Sequence, residues 1–150
     1  MAHFTSVQEL EAAVGQVETS EWITIDQDRI NRFADATDDQ QWIHTDPGRA
    51  AAGPFGSTIA HGFLVLSLLP ALEAGRVSVD GTVMGINYGL DHVRFPHPVP
   101  VNSRVRAVSE LAKVETTRQG VRVVTGITIE LEGEARPAVV ADWITLYVLA

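Results

Sequence analysis

Between Thr37 and His44 the chain reads Thr-Asp-Asp-Gln-Gln-Trp-Ile-His, which gathers two carboxylates, two amides and an imidazole into one short stretch. A carboxylate and an imidazole held around a single water make a general acid–base pair. One group takes a proton from the water, and a proton is delivered to carbon from the same site. Adding water across the double bond of an α,β-unsaturated thioester needs both steps. The same residues also have a purely structural reading. Asp38 or Asp39 caps a turn, and His44 is a histidine whose ring nitrogens are satisfied by neighbours.

A second stretch, Thr58-Ile59-Ala60-His61-Gly62-Phe63, opens the most apolar segment of the chain. If that segment is a helix, its first N–H groups lack intrahelical partners and carry the positive end of the dipole. A thioester carbonyl placed there would find a hydrogen-bond donor as its oxygen gains charge. Gly62 would let a substrate approach the backbone closely. Here too a structural reading stands beside the chemical one. Gly62 is then a packing glycine where helix crosses sheet, and His61 a helix-start residue.

The elements that must position these groups follow from the pattern. Trp22 to Ile25 reads as a strand. Asp26 offers an N-cap, and Ile30, Phe33 and Ala34 share one face of a helix running to about Thr37. From Asp38 to Phe55 the pattern is irregular, apart from Asp46-Pro47, an N-cap with proline at the first helical position. Ala60 to about Ala74 is apolar on nearly every side, which predicts a helix buried all round. Pro70 should kink that helix or interrupt its hydrogen bonding, and Gly75 should stop it.

The second half reads as strands. Met84, Ile86, Tyr88 and Leu90 alternate, and Val93 and Phe95 continue on the other parity, which predicts a bulge near Asp91 and His92. Val105, Ala107 and Leu111 mark the next strand. Val121, Val123, Thr125, Ile127, Ile129 and Leu131 mark a third, and Ala138 to Leu149 a central one. Pro96, Pro98 and Pro100 separate the first two. The sum is an α+β fold in one domain, residues 1–150: a curved, mainly antiparallel sheet wrapped around one long central helix. Little in the chain can cover the far side of that helix, so a dimer is expected.

Composition narrows the chemistry. The 150 residues are 45% apolar and 20% charged, as in soluble globular proteins, and include no cysteine. Disulfides, a thiolate nucleophile and cysteine-based zinc sites are therefore excluded, and a reducing compartment is compatible. Met1 to Gln16 lack the basic start and apolar core of a secretory signal. The longest apolar run, Ile59 to Leu72, falls short of the roughly 20 residues needed to span a bilayer. A cytoplasmic protein is expected. The net charge of −8, with no basic cluster, argues against nucleic acid. Arg49, Arg94, Arg104 and Arg106 leave room for a local positive patch that an anionic carrier could use.

No trio of carboxylates or imidazoles sits at metal-ligand spacing, so no metal is expected. No glycine-rich phosphate loop or dinucleotide fingerprint appears, so no cofactor is expected either. Ser57 lies outside any nucleophile-elbow pattern. His3 is expected in a mobile N-terminus, His92 at the bulge, and His97 in a turn between two prolines.

Taken in this order, the two segments resemble the MaoC-like, R-specific enoyl-thioester hydratase family, which has the hot-dog fold. Its Gly-Asp-x-Asn-Pro-x-His loop precedes a His-Gly that opens the central helix. Asp39 matches the family's catalytic aspartate, His44 its catalytic histidine, and Gly62 the glycine whose amide contacts the thioester oxygen. Asp38 falls at the family's glycine. Gln41-Trp42 stands where the family has Asn-Pro: Gln41 keeps an amide, and Trp42 lines an acyl pocket or packs. A serine that some members carry near position 70 is absent, and Ser67 lies one turn earlier. Asn87-Tyr88-Gly89, Val93-Arg94-Phe95-Pro96 and Pro98-Val99 look like the family's following strand. Ala51-Ala52-Gly53-Pro54-Phe55-Gly56 and Asp39-Gln40-Gln41-Trp42-Ile43-His44 look nearest its actinobacterial, NodN-like branch.

The resemblance implies a homodimer that reversibly hydrates trans-2-enoyl thioesters of coenzyme A or acyl carrier protein to 3-hydroxyacyl thioesters. It further implies syn addition, the R product, and substrate contacts from Gly62, His61, Gln41 and Trp42. A hot-dog thioesterase, a non-catalytic acyl-binding subunit of a heteromeric dehydratase, and a signalling-associated role on another acyl group are the alternatives.

Overall fold

The computed structural model describes residues 2–150. The chain opens with β1 (Ala2–Phe4), α1 (Val7–Ala12), β2 (Val17–Thr19) and β3 (Ile23–Ile25). α2 (Gln27–Thr37), α3 (Trp42–Thr45) and α4 (Pro47–Ala51) follow, then α5 (Gly62–Ser67) and α6 (Leu69–Leu72). After β4 (Val77–Val79) come four long strands: β5 (Thr82–Arg94), β6 (Ser103–Thr116), β7 (Val121–Leu131) and β8 (Val139–Leu149).

The long strands form an antiparallel sheet in the order β2-β6-β7-β8-β5, with β3 also paired to β6. β8 is an interior strand, paired on both sides but next to the edge, and β7 holds the middle that the nearly unbroken apolar sequence of β8 led one to expect for it. β5 lies at an edge, and its pairing with β8 shifts register between Asp91 and Arg94. His92 adopts φ 54° there, so the predicted bulge is present.

Asp26 caps α2 by accepting the Arg29 N–H at 2.8 Å, and Asp46 caps α4 by accepting the Arg49 N–H at 3.0 Å. Both caps are readable from sequence because a short acceptor just ahead of a helical pattern satisfies an orphan donor.

The central helix differs from expectation. It begins at Gly62 and divides into α5 and α6 around Leu68. Pro70 lies in the first turn of α6, where its missing N–H removes no hydrogen bond. The helix is also not buried all round. Leu64, Val65, Leu68, Leu69 and Leu72 pack into the core against Ile25, Ile30, Val105, Ile129 and Val139. Phe63, Ser67 and Pro70 stay exposed along the opposite side. Each buried Leu or Val contributes roughly 1.5–3 kcal/mol of transfer free energy, so this stripe fixes the helix against the sheet.

The N-terminus corrects a second expectation. β1 pairs with β4 in parallel, and α1 buries Leu10 in a second apolar cluster with Phe4, Val79, Leu111 and Val123. His3 is held by the Ser78 hydroxyl at 3.0 Å and the Asp80 carboxylate at 3.2 Å.

Candidate active site

α2 ends at Asp38, whose backbone is left-handed at φ 59° and ψ 21°. Asp tolerates this region better than most residues with a Cβ, and that is how an aspartate occupies a place where glycine would serve. The turn sends Asp39 out beside the start of α3, and its carboxylate accepts the Gln41 N–H at 3.4 Å.

α3 is short but firmly anchored. Gln27 of α2 donates to the His44 carbonyl at 2.7 Å and accepts the Thr58 hydroxyl at 2.5 Å. The extended segment from Thr58 to Ala60 runs alongside, tied to the proline-rich loop by Ala60 N–H to Val99 O (2.8 Å) and Val101 N–H to Thr58 O (2.9 Å). It is also tied to α3, by Ile59 N–H to Ile43 O at 3.0 Å. These bonds carry the two histidine-bearing segments into one place.

His44 is buried, and its Nδ1–H donates to the Ile59 carbonyl at 2.7 Å. A carbonyl only accepts, so this bond fixes the tautomer and leaves Nε2 with a free lone pair. Burial lowers the His44 imidazole below its usual range. The nearby His61 ring adds to that, while the bond to Ile59 and the Asp39 carboxylate oppose it. His44 is thus held as a neutral base.

His61, directly before α5, is buried and stacks on His44 with ring centroids 3.8 Å apart and 23° between planes. Phe33 of α2 also packs on it, with centroids 4.9 Å apart and the rings tilted by 56°. Its Nε2–H donates to the Asp39 backbone carbonyl at 3.0 Å.

One ligand-type atom from each of Asp39, His44 and His61 lies within 4.8 Å of the others. Spacing along the sequence shows no such trio, so its assembly corrects that expectation. Stacked rings hold their in-plane lone pairs in nearly parallel layers. His61 spends its Nε2–H on the Asp39 carbonyl and its Nδ1 is buried, so of the two rings His44 is the one that lines the cleft.

A cleft of about 320 Å³ opens here, lined by His44, Ile59, Gly62, Val65, Phe95 and Val99 among others. Gly62 is the first residue of α5, so its N–H has no intrahelical partner. The aromatic ring of Phe95 occupies the space its side chain would take: a Cβ there would meet that ring at 3.2 Å. The glycine therefore makes room for Phe95 as well as for any ligand.

Asp39, just ahead of α3, and Gln41 and Trp42 do not themselves line this cleft. Gln41 is exposed at the start of α3, and its carbonyl accepts the Thr45 hydroxyl at 3.3 Å. Trp42 lies under the Arg49 guanidinium at 4.3 Å and against Gly53 of the following loop, and it does not line the His44 cleft. The structure thus gathers Asp39, His44 and His61, with Gly62 lining the His44 cleft; Gln41 stays beside Asp39 through its N–H, and Trp42 turns toward Arg49. Phe95 is a lining residue to which sequence reasoning gave no role; its signals are the parity change before it and its place in the family-like Val93-Arg94-Phe95-Pro96.

The MaoC like domain matches residues 9–132, and the chain belongs to that family. It is 56% identical over 150 residues to the 3-hydroxyacyl-thioester dehydratase Z of Mycobacterium tuberculosis (strain ATCC 25618 / H37Rv), covering 99% of each chain. It is 48% identical over 148 residues to Nodulation protein N of Rhizobium leguminosarum bv. viciae, covering 96% of this chain and 92% of that one. Among solved structures, the (R)-hydratase from A. caviae involved in PHA biosynthesis superposes with a TM-score of 0.74 at 25% identity, over 89% of this chain and 95% of that one.

Proposed function

We infer that the protein is an enoyl-thioester hydratase acting reversibly as a 3-hydroxyacyl-thioester dehydratase. The observation that carries the reading is the approach of the Asp39 carboxylate to a tautomer-fixed, neutral His44, which shares its cleft with Gly62. The enoyl thioester enters the cleft with its carbonyl oxygen on the Gly62 N–H. One water sits between the Asp39 carboxylate and His44 Nε2.

In hydration the pair takes one proton from this water as its oxygen bonds to the β-carbon. The π electrons move onto the α-carbon and thioester oxygen, where the amide stabilises the charge. The α-carbon then receives a proton from the same pair, and the product is neutral 3-hydroxyacyl thioester. Delivery of the hydroxyl and the α-proton from one side gives syn addition, and the alkene face turned toward the pair sets the R product. Dehydration is the reverse.

A homodimer is part of this proposal. Among the described residues the free edge of β5 pairs with no strand. Val83, Met84, Ile86 and Tyr88 are exposed on that strand, and Phe63 on α5 is 68% exposed. A second copy covering these would bury apolar surface that is otherwise costly in water. The acyl carrier is coenzyme A or acyl carrier protein. No helix among the described residues is long and apolar enough to cross a membrane, and we place the activity in the cytoplasm.

The test is hydration of crotonyl-CoA, followed by loss of absorbance and chiral analysis of the product. Asp39→Asn and His44→Gln should each lower kcat at least about a hundredfold with folding intact. Near-wild-type turnover by either variant overturns the assignment.

A further inference from the structure

The His61 ring is unusual for a residue that merely starts a helix. It is 2% exposed, stacked on His44 and packed against the tilted ring of Phe33, with Nε2–H spent on the Asp39 carbonyl. Its Nδ1 is buried with no hydrogen-bond partner among the described residues. Leaving a buried acceptor unsatisfied costs on the order of 1–3 kcal/mol. An apolar ring of the same shape would fill this space without that cost, so packing alone does not account for an imidazole here.

We propose that His61 is a positioning residue, clamping the Asp39 backbone through Nε2–H and the His44 ring through face-to-face stacking, so that carboxylate and base keep one mutual geometry. The clamp rests on the hydratase reading of the Asp39–His44 pair. It ties the turn after α2 directly to the entrance of α5. Gln40, next to Asp39, is held by bonds to Asp35 at 2.7 Å and from the Thr45 hydroxyl at 3.1 Å, whereas the Asp39 carboxylate accepts the Gln41 N–H at 3.4 Å, long for a bond of this kind.

The stack has a second consequence. Two imidazoles whose centroids are 3.8 Å apart cannot both be positively charged without strong repulsion. The groups facing His44 that bear on its proton are His61, the Ile59 carbonyl and the Asp39 carboxylate. Of these only His61 and burial disfavour the charged form, so His61 helps to keep His44 available as a base.

Three variants separate the two parts of the clamp. His61→Gln keeps an amide N–H able to reach the Asp39 carbonyl and loses the stack. His61→Phe keeps a stacking ring and loses the donor. His61→Ala loses both. Crotonyl-CoA hydration should show kcat lowered about ten- to hundredfold in His61→Ala, with KM changed less than about threefold, and partial recovery in His61→Gln.

The second readout needs no activity. In a nitrogen-15 NMR titration of the histidines, the His44 resonance should titrate at higher pH in His61→Phe than in the wild type. Wild-type kcat in His61→Ala, or a His44 titration unmoved in folded His61→Phe, overturns the proposal. Failure of the hydratase reading looks different. Wild-type protein then shows no hydration at all, while the NMR titration still decides whether His61 bears on His44.

Discussion

At the scale of single residues, His44 controls the pH dependence. Because burial lowers its imidazole, kcat/KM should fall on the acid side with an apparent pKa below the usual imidazole range. A profile governed by an ordinary or raised histidine would contradict the geometry. The same shift enters stability. The folded ring binds its proton less tightly than the unfolded one, whose value is 6.5. Unfolding therefore takes up a proton below that value. This contribution is fully present above pH 6.5 and is lost as pH falls through the folded value. Urea denaturation between pH 7 and pH 5 should show the loss in wild type and a smaller one in His44→Gln.

Gly62 gives another residue-scale prediction. Gly62→Ala pushes its methyl into the Phe95 ring at 3.2 Å, so the ring must shift within the cleft. An approximately tenfold loss of kcat/KM is expected, since small displacements at a reacting site are expensive. Gly62→Ala combined with Phe95→Leu should recover part of it. If the double variant is no better than the single one, the ring is not what the glycine accommodates.

At the scale of elements, the central helix shows how far local pattern carries. The apolar run from Phe63 to Leu72 identifies the helix correctly, and Pro70 marks the place where it is interrupted. The sequence alone does not show that α6 begins afresh just there, with Pro70 in its first turn. The distinction is measurable. A proline inside a continuous helix costs about 3 kcal/mol, so Pro70→Ala would stabilise by that order. In a first turn, its removal should instead destabilise by less than about 1 kcal/mol, through added freedom of the unfolded chain. Equilibrium denaturation of Pro70→Ala decides between them.

β5 carries a comparable lesson. Met84, Ile86 and Tyr88 alternate as a buried strand would, yet all three are exposed. Gly85 and Asn87 lie on the face of Tyr147, Thr145 and Trp143, with the Trp143 indole N–H donating to Asn87 at 3.1 Å. Alternation identifies a strand with two unlike faces; it does not say which face meets this chain's own core.

At the scale of the whole molecule, exposed apolar side chains on an unpaired edge strand and on the helix beside it predict association. Sedimentation should give a particle of twice the 16.3 kDa chain mass. Phe63→Lys and Ile86→Lys together should shift it toward monomer. A compact wild-type monomer at micromolar concentration would leave the apolar edge without a partner copy and remove the dimer from the proposal.

What the sequence determined by itself were properties set by neighbours along the chain. Asp26 and Asp46 announce helix starts because capping joins residues three apart. The bulge near His92 shows as a change of parity within one strand. The order of Asp39, His44 and Gly62 carries the family resemblance. Tertiary structure alone decided the meeting of His61 with His44 and of Phe95 with Gly62, and the departure of Trp42 toward Arg49. Residues 17 and 33 positions apart come into contact only because the Thr58–Ala60 segment is bonded to both α3 and the proline-rich loop. Such long-range closure depends on the packing of the whole fold, and no local spacing rule encodes it.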